Sequence, residues 1–189
     1  MLYPVFFRLD KLKILVVGAG EVGEEKMHFI LKSSPNANIT IVATWVGDAV
    51  AEILKEYVDS NVVVKIKAVE ESDVASHDLI VAATCFHDVN MEVYQWAKKH
   101  GKIINVADTP DLCDFYMGSI VTKGDLKIAI STNGKSPTFS KRFRQYLESV
   151  LDDETADLIE NLKKVRDKMD LDFKQKVSEL NKITEKLIE

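Results

Sequence analysis

A glycine-rich stretch, Gly18-Ala19-Gly20-Glu21-Val22-Gly23, is the motif with the clearest chemical consequence in this sequence. Its GxGxxG spacing follows an apolar run typical of a buried strand and opens a helical pattern. The first glycine permits a tight turn, the second lets a pyrophosphate approach the backbone, and the third lets helix and strand pack closely. The first helical N–H groups, at Glu21 and Val22, would face the phosphates. A glycine turn without a ligand is the alternative, and the context favours dinucleotide binding.

The second strand gives little information on which dinucleotide binds. The acidic residue expected about 20 residues after the glycines is absent. The strand ends instead in Val42-Ala43-Thr44-Trp45, and Asp48 follows a few positions late. No arginine stands there to receive a 2′-phosphate. We expect NAD, because no positive charge is available for the additional phosphate of NADP.

Asp108 lies just past another predicted strand, Ile103-Ile104-Asn105-Val106, from which Ala107 separates it. Ligands bind beyond the carboxyl ends of parallel strands, where a carboxylate can take a proton while a nicotinamide takes a hydride. An aspartate before Thr109-Pro110 can also simply cap a turn, and the local sequence alone favours that role.

A polar loop followed by cations is a third candidate, suited to an anionic ligand. It consists of Ser131, Thr132, Asn133, Gly134, Lys135, Ser136 and Pro137, followed by Lys141, Arg142 and Arg144. A capped helix with a solvated basic face explains the same residues equally well. Ser136 would then be the N-cap and Pro137 the first helical residue.

Other patterns do not indicate chemistry. Tyr94 and Lys98 match the Tyr-x-x-x-Lys pair of short-chain dehydrogenases, but they lie too close to the glycines and belong to an ordinary core helix with a solvated lysine. His87 could approach a nicotinamide, although a surface histidine is favoured. The two cysteines, Cys85 and Cys113, and the four histidines lack metal-ligand spacing, so we expect no metal site.

Apolar runs alternate with helical patterns over residues 13–106, which predicts a doubly wound parallel sheet. The predicted strands are Lys13–Val17, Ile39–Ala43, Val62–Val64, Leu79–Ala83 and Ile103–Val106, with helices over 21–31 and 89–100. An antiparallel pair, Ser119–Thr122 and Leu126–Ile130, and a helix to about Val150 follow. Apolar stripes then predict two terminal helices, the second reaching Leu187, with a break at 170–172.

Composition excludes several classes of protein. The chain has 189 residues, of which 46% are apolar and 29% charged, as in ordinary globular proteins. A net charge of −5 argues against a nucleic-acid partner. No apolar run approaches the ~18 residues of a membrane span, so no membrane partner is expected. The few cysteines and the lack of a signal-peptide pattern favour the cytoplasm.

Several short segments occur in an order and spacing that are specific when taken together. They are Tyr3-Pro4-Val5-Phe6-Phe7-Arg8-Leu9, Val17 to Lys26, Ala82-Ala83-Thr84, Val89-Asn90, Asn105 to Pro110, Phe115 to Ile120 and Ile130 to Pro137. Over residues 3 to about 150 the chain resembles the precorrin-2 dehydrogenase family, in the form found at the N-terminus of siroheme synthases.

The resemblance implies NAD-dependent oxidation of precorrin-2 to sirohydrochlorin by a homodimer. It makes Asp108 the catalytic residue, which reverses the interpretation from the local sequence. The implied cofactor contacts are Gly18, Gly20, Glu21, Val22 and Gly23, with Thr44, Ala83 and Thr84. The substrate carries many carboxylates, which suits a substrate side made of Ser131, Thr132, Asn133, Gly134, Lys135, Ser136, Lys141 and Arg142, with Arg144 as a further steering charge.

The implied domains are a NAD-binding Rossmann domain over 1–110, a small α+β dimerisation and substrate-side region over 111–150, and a C-terminal helical segment over 151–189. Three features depart from the family: Thr44-Trp45 where an acidic residue is commoner, Cys85-Phe86-His87 in place of a more polar run, and a short C-terminal segment that does not match the family's helical domain in detail. A module that senses NAD without turnover is the alternative function. The sequence leaves open whether the chain also inserts iron into sirohydrochlorin.

Overall fold

The computed structural model describes residues 2–185, so the predicted stripe residue Leu187 lies outside the described part. The first compact unit comprises residues up to 118 together with 133–135, and the second comprises 119–132 together with 136 onward. The strands and helices are β1 Lys13–Val17, α1 Glu21–Ser33, β2 Asn38–Ala43, α2 Asp48–Glu56, β3 Val62–Ile66, α3 Glu71–Ala75, β4 Leu79–Ala82, α4 His87–Lys99, β5 Ile103–Val106, β6 Ser119–Lys123, β7 Leu126–Ile130, α5 Pro137–Val150, α6 Glu154–Lys168 and α7 Phe173–Thr184.

The first unit contains a five-stranded parallel sheet in the order β3-β2-β1-β4-β5. The central strand β1 is buried on both faces, which explains its continuous apolar run. Ile14 and Val16 belong to one buried cluster, with Met27 and Leu31 of α1. The side chains between them, Leu15 and Val17, belong to a second cluster with α4. The predicted α/β fold with a doubly wound parallel sheet is confirmed.

Two short helices of this unit were not predicted. α2 follows the second strand, and α3 is only five residues long, too short for an apolar periodicity to identify. The predicted strands agree closely with the observed ones, although β3 extends two residues further, to Ile66. Helix α4 begins at His87, two residues before its predicted start.

The second unit contains an antiparallel hairpin and three helices. Strands β6 and β7 pair through the turn at Gly124, whose φ of +54° suits glycine. Ser136 caps α5, its hydroxyl accepting a hydrogen bond from the Phe139 N–H at 3.2 Å, and Pro137 is the first helical residue, as predicted. No residue described in α6 or α7 is buried. None of the helices that the structure describes is long and apolar enough to cross a membrane.

Candidate active site

Backbone hydrogen bonds align the residues that follow three adjacent strands. Gly18, after β1, donates to Val42 at 3.0 Å, and Ala83, after β4, donates to Val17 at 2.8 Å. Ala107, after β5, donates to Ala82 at 2.9 Å. These bonds continue the ladder of the sheet beyond its carboxyl end. The residues that follow these strands therefore lie at one edge of the sheet, where open α/β sheets bind ligands. They are the glycine loop, the Ala83–Thr84 segment and Asp108.

The glycine loop approaches its neighbours too closely for any side chain. A Cβ at Gly18 would lie 2.5 Å from the Ala83 carbonyl oxygen, and its φ of +105° independently favours glycine. A Cβ at Gly23 would lie 2.3 Å from the Gly18 carbonyl oxygen. Gly18 therefore packs against the backbone that follows β4, and Gly23 of α1 packs against the Gly18 backbone. These close backbone contacts are the predicted roles of the first and third glycines.

The start of α1 is suited to a phosphate. Gly20 holds the N-cap position in an extended conformation, and among the described residues no side chain caps the helix there. The N–H groups of the first helical turn have no partner within the helix. They lie at Glu21, Val22 and Gly23, at the positive end of the helix dipole. The chemistry of this cradle fits the pyrophosphate of a dinucleotide.

The segment after β2 folds back over the glycine loop. The Gly47 N–H donates to the Ala19 carbonyl at 3.0 Å. Thr44 is exposed, and Trp45 is 57% exposed, with the outer edge of its indole 3.7 Å from the position a Cβ would take at Gly20. An aromatic ring thus lies where a carboxylate would usually meet the adenosine ribose.

Asn90 of α4 fixes the segment after β4, a role that was not predicted. Its side-chain oxygen accepts hydrogen bonds from the Thr84 N–H at 3.2 Å and the Thr84 hydroxyl at 2.7 Å. Its amide nitrogen donates to the Thr84 carbonyl at 3.0 Å. Asn90 is buried and Thr84 is half-buried, so the three bonds are partly shielded from water and fix the Thr84 backbone. The sequence draws attention to Val89-Asn90 only through the family resemblance, because a single asparagine in a helix carries no signal of its own.

Asp108 is an exposed carboxylate held by a constrained backbone. Its φ is +56°, a left-handed conformation that aspartate adopts more readily than most residues. The adjacent strand end is anchored, since the Asn105 side chain donates to the Phe115 carbonyl at 2.9 Å. The Val106 N–H donates to the Cys113 sulfur at 3.3 Å, and burial raises the pKa of that thiol. The strand end that precedes Asp108 is therefore fixed by these hydrogen bonds, and the raised pKa keeps the Cys113 thiol protonated at neutral pH.

The polar loop after β7 has a defined internal structure. The Ser136 N–H donates to the Thr132 hydroxyl oxygen at 3.0 Å. Asn133 and Gly134 both have positive φ, +52° and +76°, so the chain turns sharply between these two residues. Lys135 and Lys141 are exposed.

Two arginines of α5 differ in their pairing. Arg142 donates to the Gln145 side chain at 3.1 Å, and Arg144 pairs with Glu148 at 2.7 Å. Because Arg144 already has an acidic partner, its charge is partly neutralised. Lys141 and Arg142 are therefore the main positive groups in the first half of α5.

Lys98 and His87, which the sequence did not favour as functional residues, lie at opposite ends of α4. Lys98 is not simply solvated: its ammonium pairs with Asp114 and lies 5.3 Å from the centre of the Tyr94 ring. His87 is exposed at the start of α4. Within residues 2–185, no three His, Cys, Asp or Glu side chains form a group that could hold a metal ion.

Comparison with known proteins gives two family matches. Residues 5–119 match the model of an NAD(P)-binding family, and residues 123–149 match the model described as sirohaem biosynthesis protein central. The first match spans more than half of the chain. It confirms that a dinucleotide is the cofactor and supports the expected NAD.

Siroheme synthases are among the chain's relatives. That of Pseudoalteromonas atlantica is 36% identical over 149 residues, which make up 79% of this chain and 31% of that protein. That of Ruthia magnifica is 33% identical over 166 residues, or 88% of this chain and 34% of that protein. The chain thus spans about a third of the length of these relatives.

A solved structure, that of SirC, precorrin-2 dehydrogenase, superposes with a TM-score of 0.75 at 28% sequence identity. The match covers 96% of this chain and 89% of that one. The similarity therefore extends beyond the dinucleotide-binding sheet. The chain belongs to the NAD(P)-binding family of the precorrin-2 dehydrogenase and siroheme synthase N-terminal type.

Proposed function

We propose that the chain oxidises precorrin-2 to sirohydrochlorin with NAD, as a step in siroheme biosynthesis. The observation that carries the proposal is Asp108, an exposed carboxylate in a left-handed backbone at the same sheet edge as the glycine loop. Membership of the family and the likeness to SirC support the choice of substrate.

In this proposal Asp108 accepts the proton that precorrin-2 loses. Conversion of precorrin-2 to sirohydrochlorin removes one hydride and one proton, so both electrons leave with the hydride. NAD, when bound, supplies the hydride acceptor. Asp108 takes the remaining proton and passes it to solvent, to which its exposed side chain is open. The hydrogen bonds of Asn105 and Cys113 fix the end of β5, the strand that precedes Asp108.

The chain's backbone would orient the two reactants. Gly18, Gly20 and Gly23 admit the pyrophosphate to the first turn of α1. The Ala83–Thr84 backbone, fixed by Asn90, forms the neighbouring wall. Holding two rings in a reactive arrangement supplies much of the acceleration in such transfers. The backbone contacts would therefore contribute to the rate by positioning the cofactor.

The loop after β7 would meet the carboxylates of the macrocycle. Ser131, Thr132, Asn133, Gly134 and Ser136 offer hydroxyl, amide and backbone groups, and Lys135, Lys141 and Arg142 offer positive charge. The whole chain has a net charge of −5, so local cations are needed to attract a polyanionic substrate. We expect binding of precorrin-2 to weaken as the salt concentration rises.

Replacement of Asp108 with Asn tests this proposal. Asn keeps the size of the side chain and tolerates a left-handed backbone, but it cannot take the proton. We expect turnover of precorrin-2 to fall by about 10²-fold or more, with the affinity for NADH unchanged. Asp111→Asn, three residues on in the exposed turn Pro110–Leu112, is the matched control and should keep wild-type turnover. Full turnover in Asp108→Asn would contradict the proposed role.

We propose further that the chain forms a homodimer through its second unit. Phe139, Phe143 and Tyr146 stack along α5 with ring centres 5.8 and 6.3 Å apart, and all three are at least 40% exposed. The apolar stripes of α6 and α7 are also unburied. A second copy would cover surfaces of this kind.

A cytoplasmic location is proposed as well, supported by two cysteines that are free thiols.

A further inference from the structure

Trp45 lies where the polypeptide usually meets the adenosine half of a dinucleotide. It is the second residue after β2, and the acidic residue that would bind the ribose hydroxyls is missing from this strand end. A tryptophan with 57% of its surface exposed is unusual, because this residue is buried more than most. Because Trp45 lies beside the glycine loop, its exposed ring is accessible to a dinucleotide bound there.

Two glycines lie beside the indole and leave room for it. The Cη2 and Cζ2 atoms of Trp45 lie 3.7 and 3.8 Å from the position a Cβ would take at Gly20. Cζ3 lies only 3.1 Å from the position a Cβ would take at Gly47. The Gly47 N–H is itself bonded to the Ala19 carbonyl, so the loop that carries Trp45 is fixed to the glycine motif. The outer edge of the indole therefore lies against the two glycines, and the remaining surface of the ring is exposed to a ligand.

We propose that Trp45 is the platform on which the adenine of the dinucleotide stacks, so that this chain recognises the adenine ring in place of the ribose hydroxyls. The inference rests on the proposed use of NAD and names the residue that binds its adenosine half. An aromatic face attracts any purine, and stacking of this kind is worth ~1–3 kcal/mol per base. The position of Trp45 after β2 and the chemistry of its aromatic ring thus both suit binding of the adenosine half.

Affinity measurements with AMP test this assignment independently of turnover, because AMP carries the adenosine half alone. In calorimetric titrations we expect Trp45→Ala to weaken the binding of AMP and of NAD by about tenfold. Trp45→Phe, which keeps an aromatic ring, should stay within about threefold of wild type. Circular dichroism would show that both variants remain folded. Unchanged affinity for AMP in Trp45→Ala would overturn the proposal.

Fluorescence locates the contact directly. In a Trp96→Phe background, Trp45 is the single tryptophan of the chain. We expect AMP to quench its emission, and nicotinamide mononucleotide, which lacks adenine, to leave it unchanged. Equal quenching by both mononucleotides would contradict stacking on adenine. If AMP behaves as expected but precorrin-2 is not oxidised, the proposed function fails and the role of Trp45 stands.

A carboxylate at this position should change the cofactor preference. Trp45→Asp replaces the ring with the group that binds ribose hydroxyls and repels a 2′-phosphate. We expect the affinity for NADP to fall by at least tenfold more than the affinity for NAD. Unchanged affinities for both cofactors would show that residue 45 does not meet the adenosine end.

Discussion

The left-handed backbone at Asp108 limits which replacements are informative. Aspartate and asparagine enter this region of φ more easily than alanine, for which the left-handed conformation costs ~1 kcal/mol. We therefore expect Asp108→Ala to lower the free energy of unfolding by about 1 kcal/mol and Asp108→Asn to change it by less than about 0.5 kcal/mol. Urea unfolding of the two variants measures this difference. Equal losses would mean that the φ of +56° does not strain the chain.

At this scale the sequence identified candidates but not their geometry. Asp108 is recognisable because it ends an apolar run, yet its local sequence favoured a turn-capping role. Nothing in that sequence indicated that its φ would be positive. Asn90, in contrast, was not recognisable as a site residue from its local sequence. Its three hydrogen bonds to Thr84 arise from the approach of α4 to the end of β4. Contacts between elements that are distant in sequence leave no local pattern.

The glycine loop acts through the packing of whole elements, and two alanine substitutions separate its effects. Gly18 and Gly101 both have positive φ, at +105° and +63°, but only a Cβ at Gly18 would collide with another segment. We expect Gly18→Ala to cost ~1–3 kcal/mol more stability than Gly101→Ala and to weaken NAD binding at least tenfold. Gly101→Ala should leave NAD binding unchanged. Thermal unfolding and NAD titration of both variants check this, and equal NAD affinities would contradict it.

The elements of the sheet were the most predictable part of the fold. A strand that is buried on both faces must be apolar throughout, so β1 and β4 stand out from the sequence alone. α3 does not stand out, because five residues are little more than one helical turn. What the local sequence could not supply was the alignment of the strand ends. That alignment depends on the register of β1 against β2 and β4.

The second unit leaves apolar surface that matters at the scale of the whole molecule. If the stack of Phe139, Phe143 and Tyr146 lies in a dimer interface, light scattering should give about twice the 21.3 kDa of one chain. We expect Phe143→Ser with Tyr146→Ser to weaken the dimer by at least tenfold, because two aromatic anchors are lost. Phe86→Ser, an equally exposed aromatic change in the first unit, is the control. A monomeric wild type would exclude the proposed dimer.

The central claim is that this chain uses NAD to oxidise precorrin-2. An anaerobic absorbance time course with precorrin-2, recorded with and without NAD, tests it most directly. We predict that the sirohydrochlorin spectrum grows only when NAD is present, with one NADH formed for each macrocycle oxidised. Binding of NAD without any change in the precorrin-2 spectrum would contradict the claim and favour a module that senses the dinucleotide without turnover.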